Sequence, residues 1–139
     1  MEAVLTTTGL FATALLFGAM AFFSVVMAPL IFTRLDAETA GRFIRQVFPW
    51  YYLTVITLAG VAALSLTFSR VPDAVALAAV TAVGVIARQV LMPRINRAKD
   101  AAGGGEATAR KRFSRLHRLS VWTNAAQMIA VAIVLARFV

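Results

Sequence analysis

Long apolar stretches dominate this chain and restrict the folds open to it. Gly9 to Phe32 contains no charged residue. A helix of that length is about 36 Å long, enough to cross the roughly 30 Å hydrocarbon core of a bilayer with some tilt. Hydrophobic residues make up 60% of the chain and charged residues 14%, whereas soluble domains carry about 25% charged residues. We therefore predict an integral membrane protein.

Three further apolar stretches follow the first, separated by segments in which polar, basic and helix-ending residues collect. Four spans joined in this way predict a single all-α domain over residues 1–139, an up-down four-helix bundle in the membrane. The predicted spans are at about residues 9–32, 50–69, 74–92 and 117–137, with basic loops at 33–48 and 93–116.

A cleavable signal peptide is the alternative interpretation of the first stretch, because Ala19-Met20-Ala21 resembles a cleavage site. No Lys or Arg precedes the stretch, and it continues well past that point. Both features differ from a signal peptide. We therefore expect a retained span.

The basic residues lie almost entirely on one side of the predicted bundle. Twelve of the 14 Lys and Arg lie in or beside the two predicted loops, and only Arg70 and Arg137 lie on the other side. The positive-inside rule then predicts that both loops face the cytoplasm and both termini lie outside (N-out/C-out), in a plasma membrane or bacterial inner membrane. Anionic lipid at these loops explains the net charge of +8 without nucleic acid as a partner.

A polar stripe enters the fourth span from its basic end. His117, Ser120, Asn124 and Gln127 are spaced at +3, +7 and +10, which places them within about 80° of arc on one helix face. The stripe has two interpretations: it lines a pocket or the mouth of a solute path, or it joins helices by interhelical hydrogen bonds.

Polar residues of other spans are candidates to meet this stripe. Tyr51 begins the second span, Gln89 ends the third, and Asn96 follows it. Arg88 is the one basic residue that lies more than one residue inside a predicted span, and an intramembrane charge is a functional hypothesis by default. Its alternative is a long side chain that reaches back to the interface.

Donor residues for metals and cofactors are scarce. Cys is absent, and the one His precedes the apolar part of its span, so no axial haem ligand lies deep in the membrane. Met20, Met27 and Met128 are the candidates for a soft metal, although Met more often fills gaps in packed cores. No catalytic motif occurs. We expect no metal, no cofactor and no enzymatic activity.

Short motifs follow one another along the chain in a definite order. They are Phe17-Gly18-Ala19-Met20, Ala28-Pro29, Phe48-Pro49-Trp50-Tyr51-Tyr52, Ala87-Arg88, Met92-Pro93-Arg94-Ile95-Asn96, and Phe113 with Leu116-His117, Leu119-Ser120 and Asn124. Together they resemble the transmembrane protein 205-like family over nearly the whole chain. The resemblance implies four spans with a basic loop between the third and fourth, and no settled activity. Eukaryotic relatives are longer in that loop, where this chain has Gly103-Gly104-Gly105.

The function expected from these observations is that of a multi-pass membrane protein without enzymatic chemistry. We predict a small transporter-like protein, or an accessory or structural subunit, with a polar cluster at the cytoplasmic end. Small residues on one face of the first span, such as Ala14 and Gly18, suggest a homo-oligomer or a larger membrane complex. The alternative is a haem- or copper-binding redox protein, as in other small four-helix membrane proteins.

Overall fold

The computed structural model describes residues 1–105 and 107–138 and consists of four long helices. They are α1 Glu2–Arg34, α2 Ala37–Leu66, α3 Val71–Gly103 and α4 Ala107–Ala136. Each is long and apolar enough to cross a membrane, and no β-strand occurs in the described part of the chain. The predicted all-α, four-span membrane bundle is therefore confirmed.

The helices run up and down, so that the loops alternate between the two ends of the bundle. At one end, Arg45 of α2 forms an ion pair with Asp100 of α3 at 2.6 Å. At the other end, the Thr6 hydroxyl of α1 donates to the hydroxyl of Ser69, after α2, at 3.3 Å. The end that contains Arg45 is also the end where the basic residues collect, and we call it the basic end.

The four helices extend beyond the predicted spans at the basic end. Each contains 30 to 33 residues and is therefore about 45–50 Å long, more than the hydrocarbon core requires. Most of the segments predicted as loops at 33–48 and 93–116 are helical. Asp36 starts α2 as its N-cap, accepting from the backbone N–H groups of Thr39 and Glu38 at 3.0 and 3.1 Å. These hydrogen bonds hold the pKa of the Asp36 carboxyl below its usual range.

Three prolines, Pro29, Pro49 and Pro93, lie inside the long helices without ending them, and two of them follow a wider helical turn. Proline has no N–H to donate, and its ring collides with the carbonyl four residues earlier. A π-helical turn at Phe23–Met27 lies just before Pro29, and a second at Ala87–Leu91 lies just before Pro93. The wider turns relieve this conflict. Helix α3 therefore continues past Met92, where the sequence alone predicted its end.

The core is a narrow seam along the bundle axis, centred on α2. Leu16, Val55, Leu66, Leu77 and Val131 are completely buried there, together with small alanines of α2. Close packing in lipid depends on such small residues because lipid tails are as apolar as the side chains. The outward faces carry large exposed apolar side chains, as a lipid-facing surface requires; they include Phe11, Leu15, Val25, Trp122 and Ile129.

An ionic cluster closes the end opposite the basic one. Asp73, in the first turn of α3, is 1% exposed and lies 2.7 Å from Arg70 Nε and 3.1 Å from Arg137 Nη1. Arg70 also donates to the backbone carbonyl of Arg137 at 2.6 Å and stacks on the Phe138 ring at 4.2 Å. The cluster therefore fixes the end of α4 to the turn between α2 and α3.

Candidate functional site

A cavity of about 480 Å³ opens among the four helices toward the basic end. Its volume lies within the range of about 300–1,000 Å³ typical of small-molecule sites. Its lining is mainly apolar and comes from every helix: Phe23, Ser24, Ala28 and Phe32 of α1; Gly41, Ile44, Arg45, Phe48, Tyr51 and Tyr52 of α2; Met92, Ile95, Asn96 and Lys99 of α3; and Phe113, His117, Ser120, Val121, Asn124, Ala125 and Met128 of α4.

The path of α1 creates this space. Helix α4 packs on the Glu2–Phe22 part of α1, whereas Ala28–Arg34, after the π-helical turn, packs on α2 instead. Phe32 and Val121, which line the cavity on α1 and α4, are 59% and 52% exposed. The cavity therefore reaches the surface between the last turns of α1 and the first half of α4.

An aromatic cluster forms one wall of the cavity. The Phe23 ring lies 4.6 Å from Tyr51 and 5.5 Å from Phe48, and Phe48 lies 5.8 Å from Tyr52, measured between ring centroids. Aromatic pairs at these separations contribute about 0.5–1.5 kcal/mol beyond their buried area. The wall joins α1 to α2 and gives the cavity a rigid apolar surface.

A chain of hydrogen bonds crosses the inner part of the cavity. The Tyr51 hydroxyl of α2 donates to Asn124 Oδ1 of α4, and Asn124 Nδ2 donates to the Ser24 hydroxyl of α1 at 3.1 Å. Three helices are thus joined through one amide. Asn124 has a second N–H and Ser24 its own hydroxyl hydrogen, so this network has donors to spare for a bound molecule.

The mouth of the cavity is polar and basic. Lys99, Asn96 and His117 line it, beside Arg45 in its ion pair with Asp100. The His117 ring stacks on Phe113 at 5.8 Å with an interplanar angle of 15°. No acidic side chain lines the cavity among the residues that the structure describes. The mouth therefore has a positive potential that favours anionic or neutral groups over cations.

The structure brings together five of the eight residues that the sequence suggested as ligand contacts. Tyr51, Asn96, His117, Ser120 and Asn124 all line the cavity. Ser120 also donates to the backbone carbonyl of His117 at 2.8 Å, within its own helix. The predicted meeting of polar residues at the basic end therefore exists as a geometric arrangement of α2, α3 and α4.

The other three suggested residues lie outside the cavity lining. Gln127 is 5% exposed and donates to the Val80 carbonyl of α3 at 2.9 Å, so it joins two helices deeper in the bundle. Arg88 donates from Nε to the Pro49 carbonyl at 3.2 Å. Gln89 is exposed on the outer surface. Arg88 is thus held by a helix backbone within the bundle.

Sequence reasoning missed four polar residues of the cavity lining: Ser24, Arg45, Tyr52 and Lys99. Ser24 is the only polar side chain between Thr13 and Thr33, and this isolation in an apolar stretch is a signal that sequence alone offers. Lys99 lies among several basic residues of equal character. Nothing in the sequence distinguishes it from them, because only the packing of α3 on α2 turns it toward the mouth.

The three methionines suggested for a soft metal lie in different settings. Met20 is completely buried in the core, Met27 is half-buried in the π-helical turn of α1, and Met128 lines the inner end of the cavity. No group of three or more His, Cys, Asp or Glu side chains that could hold a metal ion occurs within residues 1–105 and 107–138. The cavity is built for apolar contact and hydrogen bonding.

Comparison with known families gives one match. The family described as "Domain of unknown function (DUF4149)" matches residues 11–103, more than half of the chain. The matched segment ends with the last residue of α3 and so contains three of the four cavity walls. Neither a curated protein nor a solved structure matches the chain.

Proposed function

Because this chain belongs to the DUF4149 family, whose description assigns no activity, we propose a function from the cavity itself. We propose that the protein is a non-enzymatic, transporter-like membrane protein that binds a small, membrane-soluble molecule at its basic end. The observation that carries the proposal is the cavity of about 480 Å³ to which all four helices contribute.

The architecture of the cavity supports binding. Ligand sites are concave and mostly apolar, with a few convergent polar groups that orient the ligand. Here aromatic and aliphatic side chains form the walls, and Ser24, Asn124 and Tyr51 form a hydrogen-bonded group at the inner part. The opening between α1 and α4 gives such a molecule a route from the lipid, which a site inside a sealed bundle would lack.

We further propose that the basic end faces the cytoplasm of a plasma membrane or bacterial inner membrane, because 12 of the 14 Lys and Arg lie there. The order of the short sequence motifs along the chain supports a relationship to the transmembrane protein 205-like family. The exposed face of α1 around Ala14 and Gly18 offers a contact surface for a second copy or a larger complex. These proposals are independent of the ligand.

The first experiment is purification in a mild detergent, followed by native mass spectrometry and elemental analysis. We expect a bound organic molecule that persists through detergent exchange. A stoichiometric metal or a haem absorbance band would instead support the redox alternative. A chain that carries no small molecule but retains a stable protein partner would support the accessory-subunit alternative.

A matched pair of variants locates the bound molecule. Ala125 lines the cavity, whereas its neighbour Ala126 is exposed on the outer surface of α4. Ala125→Phe would fill part of the cavity, and Ala126→Phe adds the same group toward lipid. We expect Ala125→Phe alone to lose the bound molecule. Equal retention in both variants would contradict a site in this cavity.

A further inference from the structure

We infer that the ligand of this cavity is a single-chain amphiphile with an anionic headgroup, either a carboxylate or a phosphate monoester. It enters sideways from the membrane, between α1 and α4, with its headgroup at the mouth and its chain inside. This inference rests on the proposed function and assigns the chemical class of the ligand.

The contact for the headgroup is Lys99. A Cβ added at Gly41 would overlap the Lys99 ammonium, so the side chain lies across α2 at the mouth. The ion pairs within the described part of the chain join Arg45, and not Lys99, to the neighbouring Asp100. Lys99 acts on Asp100 only from beyond ion-pair distance, whereas Arg45 contacts that carboxylate directly. Lys99 is therefore the mouth cation whose ammonium a bound anion can pair with.

The remaining polar groups at the mouth suit an oxyanion. Asn96 and His117 also line the cavity and have N–H groups that can donate to carboxylate or phosphate oxygens. No described acidic residue lines the cavity, so a cationic headgroup would find no carboxylate partner among these residues. A hydrogen bond that involves an ionised group is roughly twice as strong as a neutral one, so the charge of the headgroup contributes to selection.

The depth of the cavity suits one hydrocarbon chain. His117 at the mouth and Met128 at the inner end are separated by 11 residues of α4, which correspond to about 16 Å along the helix axis. One leaflet contributes about 15 Å of the roughly 30 Å hydrocarbon core. A chain of the length found in one leaflet therefore reaches the inner end while its headgroup stays at the mouth.

The lateral opening suits a ligand that already lies in the leaflet. Phe32 and Val121 line the cavity and are more than half exposed, so a chain that enters past them stays in an apolar environment. The headgroup stays at the basic end throughout, beside Lys99. Entry of this kind avoids the cost of moving a charge through the hydrocarbon core.

The test is equilibrium binding to the full chain in nanodiscs of phosphatidylcholine, with empty nanodiscs as the background. The probes are radiolabelled oleate, oleoyl-lysophosphatidate and oleyl alcohol, which share a chain and differ in headgroup. We expect saturable binding at one site per chain for at least one of the two anions, and weaker binding of the alcohol. A preference between the anions identifies the headgroup as carboxylate or phosphate, and either preference supports the inference.

The two lysines of the chain provide a matched control. Lys99→Gln and Lys111→Gln each remove one positive charge from the basic end, but Lys111 is exposed and outside the cavity lining. We expect Lys99→Gln to weaken anion binding by about tenfold, as the loss of one charge-assisted contact predicts. Lys111→Gln should leave it unchanged.

A second pair moves the ammonium without removing its charge. Gly41→Ala displaces the tip of Lys99, whereas an added Cβ at Gly18 has nothing within 4 Å. We expect weaker anion binding in Gly41→Ala and wild-type binding in Gly18→Ala.

The possible failures are distinguishable. If oleyl alcohol binds as tightly as both anions, or if Lys99→Gln and Lys111→Gln behave alike, the headgroup assignment is wrong and a cavity ligand of another class remains. If none of the three probes binds saturably and Ala125→Phe retains whatever molecule purifies with the protein, the headgroup assignment and the proposed function both fail.

Discussion

Replacement of Asn124 by leucine separates the two roles that a polar residue in this bundle can have. Asn124 accepts from Tyr51 and donates to Ser24, and it also lines the cavity. Leucine has a similar size and no hydrogen-bonding group. Asn124→Leu should therefore weaken the contact among three helices and remove the polar donor from the cavity, without opening a large void.

The expected loss of stability follows from the two hydrogen bonds. Interhelical hydrogen bonds in membranes contribute about 0.6 kcal/mol on average and at most about 1.7. Ser24 loses the N–H that Asn124 donates to it, but its own hydroxyl can still donate to the carbonyl four residues earlier, as Thr13, Thr54 and Thr81 of this chain do. Tyr51 lines the cavity and has access to water or ligand. We expect a free-energy loss of about 1–2 kcal/mol, at the low end for two bonds.

Gln127→Leu is the matched control. Gln127 lies one turn further along α4, donates to the Val80 carbonyl at 2.9 Å, and lies outside the cavity lining. Its loss should lower stability by a similar amount, because it too removes one side-chain amide from an interhelical contact. We expect thermal unfolding in detergent to shift downward by a few degrees for both variants. Native mass spectrometry should show ligand loss only for Asn124→Leu, because the Asn124 network joins three of the helices that form the cavity walls.

Two results would refute this reasoning. If both variants lose the ligand to the same extent, occupancy follows general stability and Asn124 has no specific role in the cavity. If neither loses it while both unfold earlier, the network is structural and ligand binding does not depend on Asn124. The double variant Tyr51→Phe with Asn124→Leu adds a check, because a shared hydrogen bond predicts a loss smaller than the sum of the single losses.

Two further predictions concern other parts of the molecule. Asp73→Asn should lower the free energy of unfolding by about 1–3 kcal/mol, less than the 3–5 kcal/mol typical of a broken buried pair, because the Arg137 side chain is 52% exposed. Thermal unfolding measures this loss. Asp100→Asn, in an exposed pair with Arg45, should leave stability nearly unchanged. Equal losses would contradict the role of the buried cluster at the end of α4. Charge reversal of Arg110, Lys111 and Arg112 should weaken the preference of the bundle for one orientation in the membrane, measured with reporter fusions at the two ends of the bundle. An unchanged topology would contradict the use of the positive-inside rule for this protein.

The sequence determined the membrane class and the number of helices because both depend on local properties. In lipid every backbone polar group needs an internal partner, so an apolar stretch of sufficient length must become a helix whatever its neighbours are. The clustering of basic residues at one end of the bundle could also be predicted from the sequence, because consecutive membrane-spanning helices alternate in direction. The fold class could therefore be read from hydropathy and charge alone.

The helix ends and the cavity were decided by tertiary structure. The proline at position 93 looks like a helix end in sequence, yet a π-helical turn carries α3 past it, and a similar turn precedes Pro29 within α1. A π-helical turn changes the register of every later side chain on its helix, and this shift is not visible in a pattern that assumes 3.6 residues per turn. In α1 the π-helical turn is followed by Ala28–Arg34, which packs on α2 and not on α4. The space between this segment and α4 forms the cavity.

The polar stripe of α4 shows most clearly what sequence determines and what tertiary structure determines. Asn124 and Gln127 lie three residues apart on one face of α4 and look equivalent in sequence, but Asn124 meets Ser24 and Tyr51 while Gln127 meets the backbone of α3. Ser24 of α1 and Lys99 of α3 also line the cavity, but the sequence does not show which residues of α1 and α3 lie opposite those of α4. Spacing along one helix fixes which residues share a face, whereas the partner of that face depends on how four helices rotate and cross, and only packing decides that.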